Sequence, residues 1–120
     1  MWDNNELEEL NLTDLEKLVD LHISTCNNLK KVNILNLPKL IRFCLYENEN
    51  LEEINLSNLP NLEMLRIGDS KIKSLILPDA LYLKELILSD NKNLQTVILP
   101  LSIKETIEVK DFDMEKIYWL

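Results

Sequence analysis

His22 and Cys44 stand 22 residues apart, with Asp20 two residues before the histidine. If the chain coils with that period, an imidazole and a thiol fill one outward position on adjacent turns, an arrangement that can activate a thiolate nucleophile. A flat, open sheet would give such a pair no pocket and no oxyanion donors, so it reads as a contact pair in a binding surface, and no catalytic residue is assigned. The lone histidine excludes a paired-His metal site, and the lone glycine, Gly68, excludes a Gly-rich phosphate loop. A second set, Glu47, Asp69, Asp90 and Asp111, recurs at intervals of 22, 21 and 21 residues and should line one rim. Two readings of it stay open: turn chemistry, since Asp suits corners, and an acidic ridge for Lys or Arg of a partner. No loop has the DxDxDG arrangement of calcium-binding oxygens, so neither metal nor cofactor is expected.

The elements that position these residues follow from a pattern, LxxLxL, which restarts at Leu7, Leu18, Leu29, Leu40, Leu51, Leu62, Ile72, Leu83 and Leu94. Eleven residues separate successive starts except for one ten-residue step, Leu62 to Ile72. A fixed period with leucine at inward positions means stacked units, each completing the core of the next. The ninth position sorts the units into two alternating kinds. After Leu18, Leu40, Leu62 and Leu83 it holds Cys26, Asn48, Ser70 and Asn91, small polar hydrogen-bonders. After Leu7, Leu29, Leu51 and Ile72 it holds Leu15, Leu37, Leu59 and Ala80, which fill the core. One full turn is therefore 22, 22, 21 and 22 residues long, from starts at 7, 29, 51, 72 and 94.

From Leu7 to about Val109 this pattern resembles the leucine-rich repeat family. The resemblance implies a β-rich solenoid, a right-handed coil of about five turns. In it LxxLxLxxN forms a short parallel strand, and Cys26, Asn48, Ser70 and Asn91 form a structural ladder that satisfies backbone groups inside the bend. The second LxxLxL on the return leg resembles a variant class, sometimes called IRREKO, with short strands on both legs and little helix. The expected organisation is one domain over 1–120, with an N-terminal cap at 1–6, repeats over 7–111 and a C-terminal cap at 112–120. Trp2 and Trp119 lie where large side chains could cover the ends of the stack. The tail from Met114 to Leu120 suits a last return strand or a short helix, and its apolar end allows end-to-end self-association.

Stacked turns place equivalent residues ~4.8 Å apart, so columns can be read from the alignment. On the return leg Glu8-Glu9, Lys30-Lys31, Glu52-Glu53 and Lys73-Ser74 form an ion-pair ladder, and Asn11, Asn33 and Asn55 give way to Ile76 and Ile98. That leg is expected to be structural. The outward positions of the other leg are less regular: Val19, Asp20, His22; Ile41, Arg42, Cys44; Glu63, Met64, Arg66; Lys84, Glu85, Ile87; Glu105, Thr106, Glu108. Ile41, Arg42, Cys44, Tyr46, Met64, Arg66 and Ile87 there mix the residue types that dominate binding interfaces, and they are the expected protein-binding patch.

Thirteen Lys and Arg against 21 Asp and Glu give a net charge of −8 and a pI near 4.6. Phosphates would be repelled, which disfavours direct binding to nucleic acid or anionic membrane and favours a protein partner with a basic surface. No apolar run approaches the ~20 residues of a membrane span, and the first residues lack a signal-peptide pattern. Cys26 and Cys44 occupy different places in the repeat, so reduced thiols and a cytoplasmic setting are expected. The function expected is a non-enzymatic protein-binding adaptor or inhibitor acting through the outer face of the LxxLxLxxN strands. The alternative is a small acidic inhibitor that mimics nucleic acid and blocks a basic groove of an enzyme, as phage-type anti-defence proteins do.

Overall fold

A computed structural model describes residues 6–120 as a β-solenoid of about five turns. Strands alternate between two legs: β1 (Glu9–Thr13), β2 (Asp20–Ser24), β3 (Lys31–Leu35), β4 (Arg42–Tyr46), β5 (Glu53–Ser57), β6 (Met64–Ile67), β7 (Ser74–Ile76), β8 (Glu85–Ile87), β9 (Thr96–Leu99), β10 (Glu108–Lys110) and β11 (Ile117–Trp119). The only helical segments among the described residues are 3₁₀ turns at Leu101–Ile103 and Met114–Lys116. The even strands form one continuous parallel sheet, ordered β2-β4-β6-β8-β10, and the odd strands form two parallel sheets, β1-β3-β5 and β7-β9-β11. The expectation that Trp2 caps the first turn lies outside the described residues. At the other end the tail uses both expected forms, a 3₁₀ turn and then β11, which pairs with β9 and packs Ile117 and Trp119 against the core.

Period-two alternation explains the strands, and the inward set explains the core. In β4, Phe43 and Leu45 are fully buried while Arg42 is exposed, and Leu65 and Ile67 repeat the pattern in β6. One hydrophobic cluster runs through the stack from Ile23 to Ile117. Among the described residues no left-handed corner position is a glycine. Thr25, Glu47, Asp69, Asp90 and Asp111 turn one side, and Asp14, Asn36 and Asn58 turn the other, all with φ between 52° and 61°. Asn and Asp tolerate this left-handed conformation best among residues bearing a Cβ, which accounts for their recurrence. Their side chains also stack: Asn58 Nδ2 donates to Asn36 Oδ1 at 2.7 Å, and Asn36 donates to Asp14.

The return leg breaks between turns three and four. β5 and β7 are not hydrogen-bonded neighbours; ahead of them Lys71 reaches across, its N–H to the Leu51 carbonyl at 2.7 Å and its Nζ to Asn50 Oδ1 at 3.2 Å. The break coincides with the 21-residue turn and with a change of corner. Turns one to three use Thr-Asp, Leu-Asn and Ser-Asn at residues 13–14, 35–36 and 57–58, whereas turns four and five place Pro78 and Pro100 at the equivalent of residue 57. Asp79, the residue equivalent to the left-handed Asn58, is not left-handed, and the corner-to-corner bond seen from the Asn36 N–H to the Ser57 carbonyl has no counterpart from Asn58 to Pro78. A cleft of about 350 Å³ opens there, lined by Ile54, Leu56, Leu59, Ile76, Leu77 and Ala80 among others.

The last rung of the continuous sheet departs from the expected register. A restart at Lys104, ten residues after Leu94, sets Glu108 beside Ile87, but Glu108 pairs with Glu85, Val109 with Leu86 and Lys110 with Ile87. The 3₁₀ turn at Leu101–Ile103 and the turn after it take up two extra residues, so Glu105 and Thr106 belong to that connection and not to the strand face. Inward parity survives because the shift is even.

Candidate functional site

The outer face of β2-β4-β6-β8-β10 gathers the residues expected to bind protein. Registers place Arg42 beside Met64, Cys44 beside Arg66, and Arg66 beside Ile87. Gly68 follows β6, next to Tyr46; a Cβ there would lie 3.3 Å from the Ser89 carbonyl and 3.8 Å from Tyr46 Cβ. On this face the Arg66 guanidinium sits over the Tyr46 ring, 5.3 Å from its centroid. Such stacking restricts both side chains to one arrangement. Exposure divides the set: Arg42 and Arg66 are exposed, and Ile41, Tyr46, Met64 and Ile87 are half-buried.

Cys44 does not belong to the exposed part of this patch. It is only 6% exposed, with its Sγ 4.0 Å from Met64 Sδ, because long side chains of the neighbouring rungs close over a small residue. Register does set it beside His22. Burial, however, pushes the Cys44 thiol up, with Arg66 pulling it down, Asp20 pushing it up and Arg42 pulling it down. A thiol kept protonated and covered is a poor nucleophile. Cys26 and Cys44 are both free and buried.

Charges across this face are laced laterally. Arg42 pairs with Asp20 at 3.7 Å, Lys84 with Glu63 at 3.1 Å, and Lys110 with Glu85 at 3.2 Å and Glu108 at 3.6 Å. Those hydrogen bonds and charges, Glu85 first, raise the Lys110 pKa. On the return leg Lys31 bridges Glu9 at 3.8 Å and Glu53 at 3.3 Å, and the Asn11-Asn33-Asn55 column is bonded at 2.6 and 2.7 Å. The Asn55 hydrogen bond, then Lys31, lower the Glu53 pKa. Exposed pairs of this kind mainly fix register.

Inside the bend, Asn48 is fully buried. Its Oδ1 accepts from the Cys26 N–H at 2.9 Å, and its Nδ2 donates to the Ile23 and Tyr46 carbonyls at 3.1 and 3.0 Å. Asn91 does the same for the later turns: Oδ1 accepts from Ser70 Oγ at 2.6 Å, and Nδ2 donates to the Ile67 carbonyl at 2.8 Å. Asn91 is half-buried, since the turn above it is closed by Phe112 and offers no matching ladder residue.

The acidic rim is where the left-handed corners are. Glu47 accepts from Thr25 Oγ1 at 3.4 Å and Asp111 from Ser89 Oγ at 2.8 Å. Among the four carboxylates Glu47 fits its backbone least, having neither glycine's freedom nor the short polar side chain of Asp. Glu47→Gly is expected to raise unfolding free energy by about 1 kcal/mol in urea titration, because a left-handed residue with a Cβ costs about 1–2 kcal/mol. A loss instead would show that the Thr25 contact outweighs the backbone strain.

Column reading missed where the largest exposed apolar side chains are. Ile76, Leu81, Tyr82, Leu101, Tyr118 and Leu120 are each at least half exposed, and all lie on the second half of the return leg or its corners. The signal was the replacement of Asn11, Asn33 and Asn55 by Ile76 and Ile98 in a solvent-facing column. Among the described residues no cluster of three or more His, Cys, Asp and Glu could hold a metal ion, and no helix is long and apolar enough to cross a membrane. No family model matches the sequence, and neither a curated protein nor a solved structure is significantly similar to it.

Proposed function

We propose that the protein is a non-enzymatic binding module of the leucine-rich-repeat kind, in the variant with strands on both legs. Turns of 21–22 residues and the buried bonds of Asn48 support that kinship. It acts as an adaptor or inhibitor, engaging a protein through the outer face of the five-stranded sheet. The Arg66–Tyr46 stack beside Met64 carries this reading, for it is a pre-arranged pair of the residue types that anchor interfaces. Net charge of −8 selects a partner with a basic surface, and two free thiols fit a reducing, cytoplasmic setting. Five strands give a flat footprint of ~20 by 17 Å, below the ~800 Å² per partner of a standard interface, so affinity is modest or the partner also reaches the rim. We favour this over mimicry of nucleic acid because the left-handed corners account for Glu47, Asp69, Asp90 and Asp111 without a ligand.

The test begins with a pull-down from the native cell and mass spectrometry of what is retained. Tyr46→Ala and Arg66→Ala are expected to weaken the captured complex by more than ~1 kcal/mol each while leaving Tm nearly unchanged. Normal binding by both variants, together with loss on reversing the charges of Lys30, Lys31, Glu52 and Glu53, would move the site to the return leg.

A further inference from the structure

The three sheets show different chemistry to solvent. The five-stranded face carries Asp20, Arg42, Arg66, Glu85, Glu108 and Lys110, and β1-β3-β5 carries its asparagine column between Glu9, Lys31 and Glu53. The outward strand residues of β7-β9-β11 are Ser74, Ile76, Thr96, Ile98 and Tyr118, none of them charged at neutral pH. Register sets Ile76 beside Ile98 and Ile98 beside Tyr118, so the three form one unbroken apolar column. Ile76 is 50% exposed and Tyr118 62%, and Leu81, Tyr82 and Leu101 widen the apolar area at the corner beyond.

We propose that this face pairs with the same face of a second copy, about a two-fold axis running along the Ile76–Ile98–Tyr118 column. Two molecules of net charge −8 repel each other, and the uncharged strands of this sheet are where their approach is least opposed. The flanking charges choose the arrangement. Lys73 lies three residues before Ile76 and Asp79 three residues after it; both are exposed, and among the described residues neither makes an ion pair within the chain. Rotation by half a turn about the column keeps the column on itself and reverses strand direction. Lys73 of each copy then faces Asp79 of the other, giving an apolar centre between two opposite-charge pairs, the usual layout of an interface. Three strands ~4.8 Å apart, at most four residues long, give a flat patch of only ~10 by 13 Å, well short of the ~800 Å² per partner of a standard interface. The dimer is therefore weak and reversible. It leaves both five-stranded faces outside, so the pair can grip a partner at two places.

Sedimentation equilibrium of the whole chain tests this. A reversible monomer–dimer equilibrium is expected, weakened at least about tenfold by Ile76→Asp, which opposes two carboxylates on the axis while sparing the core and Tm. Lys73→Asp and Asp79→Lys should each weaken it, and the two together should restore it. Arg66→Ala, on the other face, should change nothing. A monomer at all concentrations up to ~1 mM, where even weak association would register, overturns the proposal, as does dimerisation indifferent to Ile76→Asp. Loss without rescue in the Lys73/Asp79 exchange overturns the two-fold arrangement.

Discussion

Replacing Phe43 with alanine is expected to lower the unfolding free energy by about 3–5 kcal/mol, the range for large aromatic side chains deleted from a packed core. Phe43 is fully buried in β4, with Leu21 in register on one side and Leu65 on the other. Turns on both sides therefore lose contacts, and neither can collapse into the gap without breaking its own register. Leu65→Ala should cost about 2–5 kcal/mol for the same reason. Urea unfolding measures both, and a marginally stable chain with ~5–15 kcal/mol in hand should show a Tm drop of more than ~10 °C for Phe43→Ala. A cost below the surface range of ~0.5 kcal/mol would show that the residue does not point inward.

The second large effect belongs to Asn48. Asn48→Ala removes the acceptor of the Cys26 N–H and the donor to the Ile23 and Tyr46 carbonyls, in a bend that water does not reach. Stranded polar groups cost about 1–3 kcal/mol, and the neighbouring turn shares the loss because the bonds cross from one turn to the next. Asn91→Ala should cost less, as its half-exposed position lets water replace part of what is lost. Amide exchange provides the check: the Cys26 amide should be protected in the wild-type protein and exchange faster in Asn48→Ala. Solvent-like exchange of that amide in the wild type would remove the ladder's role.

Much of this architecture is legible because it is written in repetition. Phe43 and Leu65 are placed inward by counting four positions from Leu40 and Leu62, and Asn48 falls at the ninth position of its unit, so strand phase and ladder needed no three-dimensional information. Repetition fails where the chain stops repeating. From Glu85 to Glu108 the chain runs 23 residues, where a start at Lys104 implies 21, and no leucine marks the added length around Leu101–Ile103, so the register of β10 differs by two. Column reading also cannot weigh side-chain length. Cys44 occupies an outward place and is nevertheless covered, because Met64 and Arg66 are long and it is short. The ten-residue step at Ile72 is visible in the sequence, but not its effect on pairing: Asp79 supplies the expected Asx residue after Pro78 and still does not take the left-handed corner.

That broken pairing gives the solenoid an unequal resistance to bending. Between turns three and four one leg is joined by the β6–β8 ladder, from Met64–Glu85 to Arg66–Ile87, and the other, near the foot of the gap, by Lys71, whose N–H reaches the Leu51 carbonyl and whose Nζ reaches Asn50. Flexing that widens the gap spares every strand ladder, whereas flexing the opposite way must strip β6 from β8. The molecule therefore has a built-in crease with one compliant direction, a hinge formed by omission of hydrogen bonds. Since the intact sheet runs along the other side of that crease, opening the gap changes the curvature of the very face that carries Tyr46 and Arg66.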